Sequence, residues 1–155
     1  MRSHVGALLV TLALLLAACA TGEPQLEVIG EPAASAGQAG SSQVRVTIAN
    51  RGDGDDTLLG ASTDQAVAVE IHVTEIDGGR ATMGVLEDFP IPAGEEVSFR
   101  PGQEHLMLVV PDETVVEGGT LELTLEFDRS EPLTLQVPVI DLVDLAEGRS
   151  AEDDA

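Results

Sequence analysis

Residues Leu121-Glu-Leu-Thr-Leu-Glu-Phe127 set an apolar side chain at every odd position and a polar one at every even position. An extended chain points successive side chains to opposite faces, so this order gives a strand with one buried and one solvated face. The same period runs outward in both directions. Leu133, Leu135, Val137 and Val139 alternate with Thr134, Gln136 and Pro138. Upstream, Leu106, Leu108 and Val110 alternate with His105, Met107 and Val109, and Val67, Val69, Ile71 and Val73 with Ala68, Glu70 and His72. Val44, Val46 and Ile48 repeat the pattern, and Leu26 to Ile29 is a candidate first strand ahead of a small-residue loop from Gly30 to Ser42. Turn residues separate these runs at 50–56, 77–79, 92–94, 101–102, 117–119 and 128–132. No helical period competes within residues 25–142. The pattern predicts an all-β domain of seven to nine antiparallel strands, arranged as a two-sheet sandwich with Greek-key connections.

The ends differ from the domain. Val5 to Leu16 is almost wholly apolar, too short for a lasting membrane span but suited to an export signal over residues 1–18. It runs into Leu16-Ala-Ala-Cys19, which resembles the lipobox of bacterial lipoproteins and implies lipidation of Cys19. Residues 19–24 then read as a tether, and the protein as exported and lipid-anchored on the extracytoplasmic face of the cell membrane or in the periplasm. The acidic stretch 143–155 reads as a disordered tail.

Composition removes several functions. Cys19 is the only cysteine, so neither a disulfide, nor thiol catalysis, nor a metal site with a protein thiolate is expected in the domain. The chain carries 28 acidic residues against seven basic ones, for a net charge of −21. Such a surface repels nucleic acid. Trp and Tyr are absent, which removes the aromatic platforms that grip bases or sugars.

Past residue 18 the chain holds two His and two Met, namely His72, Met83, His105 and Met107. Asp77-Gly78 suits a two-residue type I′ hairpin loop, which sets His72 opposite Met83. With Gly78-Gly79 as the loop the register moves by two, and the pair becomes diagonal neighbours on one face; a three-residue loop would put them on opposite faces. His105 and Met107 are two apart on a strand and share a face, opposite the core-seeking Leu106 and Leu108. By the same parity His72 lies off the face of Val69, Ile71 and Val73. All four therefore avoid the deep core or sit where a strand reaches the rim. Two thioethers and two neutral imidazoles are soft to borderline donors, which select one Cu(I) ion over zinc, calcium or magnesium. Because the rings must be neutral to ligate, affinity is expected to fall as pH drops through about 6.

The spacing His72, ten residues, Met83, twenty-one residues, His105, one residue, Met107 resembles the H-x10-M-x21-H-x-M signature of periplasmic copper chaperones of the PCuAC family. The likeness runs over residues 44–140 and includes Asn50-Arg-Gly52, Asp55 to Ser62, Ile91-Pro-Ala-Gly94, Pro101-Gly102 and Leu123 to Phe127. It implies a cupredoxin- or immunoglobulin-like sandwich that carries Cu(I) to an acceptor, such as the CuA centre of cytochrome c oxidase or another copper chaperone. Two positions depart from the pattern. Val73 follows the first His where an acidic residue is common, and Glu104 precedes the second where an aromatic is common. The tail lacks the His or Met of members that bind Cu(II) there. No enzyme is expected, since no nucleophile has a patterned base beside it. The competing expectation is a metal-free, lipid-anchored interaction or structural module.

Overall fold

Burial follows the alternation that the sequence displays. In a computed structural model describing residues 22–150, Leu121, Leu123 and Leu125 are fully enclosed while Glu122 and Glu126 are exposed. Ten strands form: β1 (Leu26–Ser35), β2 (Ser41–Asn50), β3 (Asp56–Ser62), β4 (Ala66–Asp77), β5 (Arg80–Leu86), β6 (Phe89–Ile91), β7 (Glu96–Phe99), β8 (His105–Pro111), β9 (Thr120–Phe127) and β10 (Leu133–Ile140). One short helix, α1 (Leu142–Glu147), follows. The all-β class is as expected.

The strands join in one ladder, β5-β4-β8-β2-β1-β10-β9-β3-β6, and a pairing of β3 with β4 at Ala61 and Val69 closes it. A single closed ladder thus replaces the expected division into two sheets. Its strand pairs are antiparallel except β1–β10, which run parallel at Ala34–Val139 and Ser35–Ile140. β1 is the reason. The expected loop 30–42 is strand as far as Ser35, and a register shift between Ile29 and Ala33 lets its second half reach β10. Val44, Ile48, Leu58, Leu106, Leu108 and Leu123 meet in the closed interior. Phe89 and Phe99 pack edge to face there, with ring centres 5.1 Å apart.

Polar groups set the loops. The enclosed Asn50 amide donates to the carbonyls of Gly54 and Ile91 and accepts from the amides of Gln25 and Gly52. The neighbouring Arg51 pairs with Glu27 and Glu96, so Arg51-Gly52-Asp53 is part of the scaffold. Residues 22–24 are no loose tether. Gly22 accepts from Arg129, Glu23 from the Asp53 amide, and a Cβ on Gly54 would lie 2.0 Å from the Gly22 oxygen. Asp56 starts β3 and holds the 128–130 turn by accepting from the amides of Thr57, Arg129 and Ser130 and from the Ser130 hydroxyl. Burial pushes this carboxyl up, but the four donors outweigh it and hold the group below the usual Asp range.

The tail also begins with structure. Asp141 caps α1 by accepting from the Val143 amide, and Leu145 packs on Ala33 and Ile140. Arg45 reaches across to the carbonyls of Leu145 and Arg149. The acidic composition that reads as disorder from 143 onward does not prevent this helix, because a helix of six residues depends on tertiary packing for its stability.

Candidate metal centre

The β4–β5 hairpin turns at Gly78 and Gly79, both with positive φ (55° and 84°), as a type I′ turn requires. Asp77 in the first turn position would have to adopt that conformation against its Cβ, whereas Gly adopts it freely. Asp77 therefore pairs with Arg80, Thr74 with Met83, and His72 with Val85. Of the registers open from the sequence, this is the diagonal one. His72 and Met83 share a face, one row apart.

β8 supplies the other half. It is antiparallel to β4, with His105 directly opposite His72 and Met107 directly opposite Glu70. On its far side Met107 faces Gln43 of β2. Three rows therefore cross one face: Gln43–Met107–Glu70, then His105–His72–Val85, then Thr74–Met83. The predicted residues are brought together, with the two imidazoles at the centre and one thioether in the row on either side.

The face on which the four lie is not uniformly exposed. His105 is 1% exposed and His72 8%, although both project from the face opposite Leu106 and Ile71. Both rings are enclosed on their own face. Met107 is half-buried, and Met83 is 59% exposed on the outermost strand. Exposure rises from the two imidazoles through Met107 to Met83.

Hydrogen bonds assign the ring protons. His72 Nε2 lies 2.8 Å from a carboxylate oxygen of Glu70, and His105 Nδ1 lies 3.0 Å from the Gln103 carbonyl. Both partners only accept, so each of those nitrogens carries its hydrogen. In the neutral rings this leaves His72 Nδ1 and His105 Nε2 as the acceptors. Both are buried without a partner, as is Gln43 Oε1 in the next row. The ring centres are 5.6 Å apart at 66°. Glu70 and Gln43 escaped the sequence reading. Period two places Glu70 on the His72 face and could have marked it; Gln43 emerges only from the β2–β8 pairing. No group of three or more His, Cys, Asp and Glu able to hold a metal occurs among the described residues. Cys19 and residues 1–18 lie outside the described residues.

Residues 28–139 match the LpqE-like family, whose description is that of a lipoprotein. The chain is 30% identical over 95 residues to Lxx21020 of Leifsonia xyli subsp. xyli, which has lipoprotein in its name, covering 61% of this chain and 57% of that one. It is 30% identical over 105 residues to the uncharacterized protein RP573 of Rickettsia prowazekii, covering 66% and 58% respectively. It thus spans less than two thirds of either relative's length. Among solved structures, a copper-bound PCuAC domain from PmoF2 superposes with a TM-score of 0.62 at 21% identity, over 75% of this chain and 92% of that one. The solution structure of CuI-DR1885 from Deinococcus radiodurans gives 0.61 at 23% identity, over 73% and 77%. The fold is shared with both.

Proposed function

Since the chain belongs to the LpqE-like family and has the fold of PCuAC domains, we propose that it is an extracytoplasmic metallochaperone whose cargo is one Cu(I) ion held by His72, Met83, His105 and Met107. The observation that carries this reading is the pair of buried, unpartnered ring nitrogens on facing strands. Each such acceptor is a burden of about 1–3 kcal/mol on the fold, and a shared cation relieves both. The ring centres are 5.6 Å apart, close enough that an ion about 2.0–2.1 Å from a nitrogen of each ring would be reached by both. Two thioethers in the flanking rows complete a soft, uncharged set suited to Cu(I).

Release follows from the exposure gradient. The exposed Met83 is the first ligand that an incoming acceptor reaches, Met107 the next, and the enclosed imidazoles the last. Ligands are exchanged one at a time, and copper is never free. The acceptor is a protein with soft donors of its own, such as the CuA centre of cytochrome c oxidase. Residues 1–18 direct export, and lipid on Cys19 holds the domain at the membrane, in keeping with the lipoprotein description of its family. The test is anaerobic Cu(I) titration of residues 20–155 against competing chelators, which removes Cys19 as a rival ligand. One equivalent bound by wild type, and lost on replacing either His, is the expected result. No binding, or binding unchanged without the imidazoles, refutes it.

A further inference from the structure

Four neutral donors around a monovalent cation leave one positive charge in a site whose rings are enclosed, and the face carries a group that answers it. Glu70 stands two residues before His72 on β4, on the same face, with a carboxylate oxygen 2.8 Å from His72 Nε2. It lies directly across from Met107. The other imidazole is oriented by the uncharged carbonyl of Gln103, so the two rings are held differently. Resting on the copper reading above, we propose that Glu70 is the positioning residue of the site. It orients the His72 ring so that Nδ1 faces the ion, and it supplies the negative charge that balances the cargo.

Two separable effects follow. Without an acceptor beside Nε2, the ring is free to turn about its Cβ–Cγ bond and take Nδ1 away from the row shared with His105. Losing such an outer partner typically weakens metal affinity about 10- to 100-fold. Without the charge alone, the orientation persists, but an attraction acting over roughly 7 Å through the ring is gone, which for so accessible a carboxylate, at an effective dielectric of about 35, between the near-surface value and that of water, amounts to about tenfold. The Glu70 side chain is 39% accessible, so neither loss removes core packing.

The experiment compares the chain of residues 20–155 with its Glu70→Gln and Glu70→Ala variants, using Cu(I) alone as probe under anaerobic chelator competition. Nitrogen-15 spectra of the metal-free imidazoles are recorded in parallel. Glutamine keeps an oxygen acceptor and removes the charge. It is expected to preserve a slowly exchanging His72 Nε2 proton while weakening Cu(I) about tenfold. Alanine is expected to lose that proton signal and to weaken Cu(I) further, with the thermal midpoint of the metal-free protein nearly unchanged. Wild-type affinity in both variants, or a ring-proton signal that survives alanine, overturns the proposal while leaving copper binding intact. A wild-type chain that takes up no Cu(I) overturns the functional reading itself.

Discussion

Replacing His105 by Leu should leave the metal-free fold close to its original stability while abolishing its response to copper. His105 is 1% exposed, and substitution of so enclosed a residue ordinarily destabilises by about 1 kcal/mol or more. Here the terms oppose one another. Removing Nε2 relieves a buried lone pair without a partner, a gain of about 1–3 kcal/mol. Against it stand the lost Nδ1–H bond to Gln103, about 1 kcal/mol, and the edge contact with the His72 ring, about 0.5–1.5 kcal/mol. The sum is near zero, so the midpoint of thermal unfolding should move by no more than about 5 °C. Copper separates the two proteins. Cu(I) buffered at about a thousandfold over Kd adds about 4 kcal/mol to a folded state that binds it, or about 15 °C for a domain of this size. Anaerobic calorimetry with and without buffered Cu(I) reads both quantities. A loss above about 3 kcal/mol in the metal-free variant would mean that the ring is a satisfied structural group. An undiminished copper shift would remove His105 from the site.

Other outcomes follow from the same geometry. Met83→Leu keeps volume at an exposed position, so stability should change by under about 0.5 kcal/mol while Cu(I) affinity falls; chelator competition and urea melts report the two separately. Met107→Leu should lower affinity with a stability cost under about 1.5 kcal/mol, and a larger cost would identify this Met as packing rather than ligand. Asp56→Asn turns an amide toward the Ser130 donors and should cost about 2–4 kcal/mol near neutral pH, read by urea unfolding. The Asp56 carboxyl is held below its ordinary range, so its contribution is present above the unfolded value and fades as pH falls through the lower folded one; the variant's stability should therefore decline less steeply in acid. Gly54→Ala drives a Cβ against the Gly22 backbone and should cost about 1–3 kcal/mol by displacing residues 22–24, with copper binding unaffected.

A two-residue period survives any tertiary arrangement, because it arises from side chains alternating across a single extended chain. It made the strand content legible, and it put His105 with Met107, and His72 with Met83 across one short hairpin, before any fold was known. The loop glycines left the hairpin a few registers, and the preference of Gly over Asp for positive φ selected among them. The meeting of His72 with His105 was not legible. It depends on β4 pairing with β8, a choice among many possible partners that is made by the closed interior as a whole. The burial of both imidazoles, and with it the enclosure of their unpartnered nitrogens, follows from that pairing, whereas the acceptors Glu70 and Gln103 lie only two residues from the rings they orient. The same limit explains why β1 continues through a small-residue stretch and why a six-residue helix persists at 142–147. Both rest on contacts with residues far away in the chain, which local propensity does not contain.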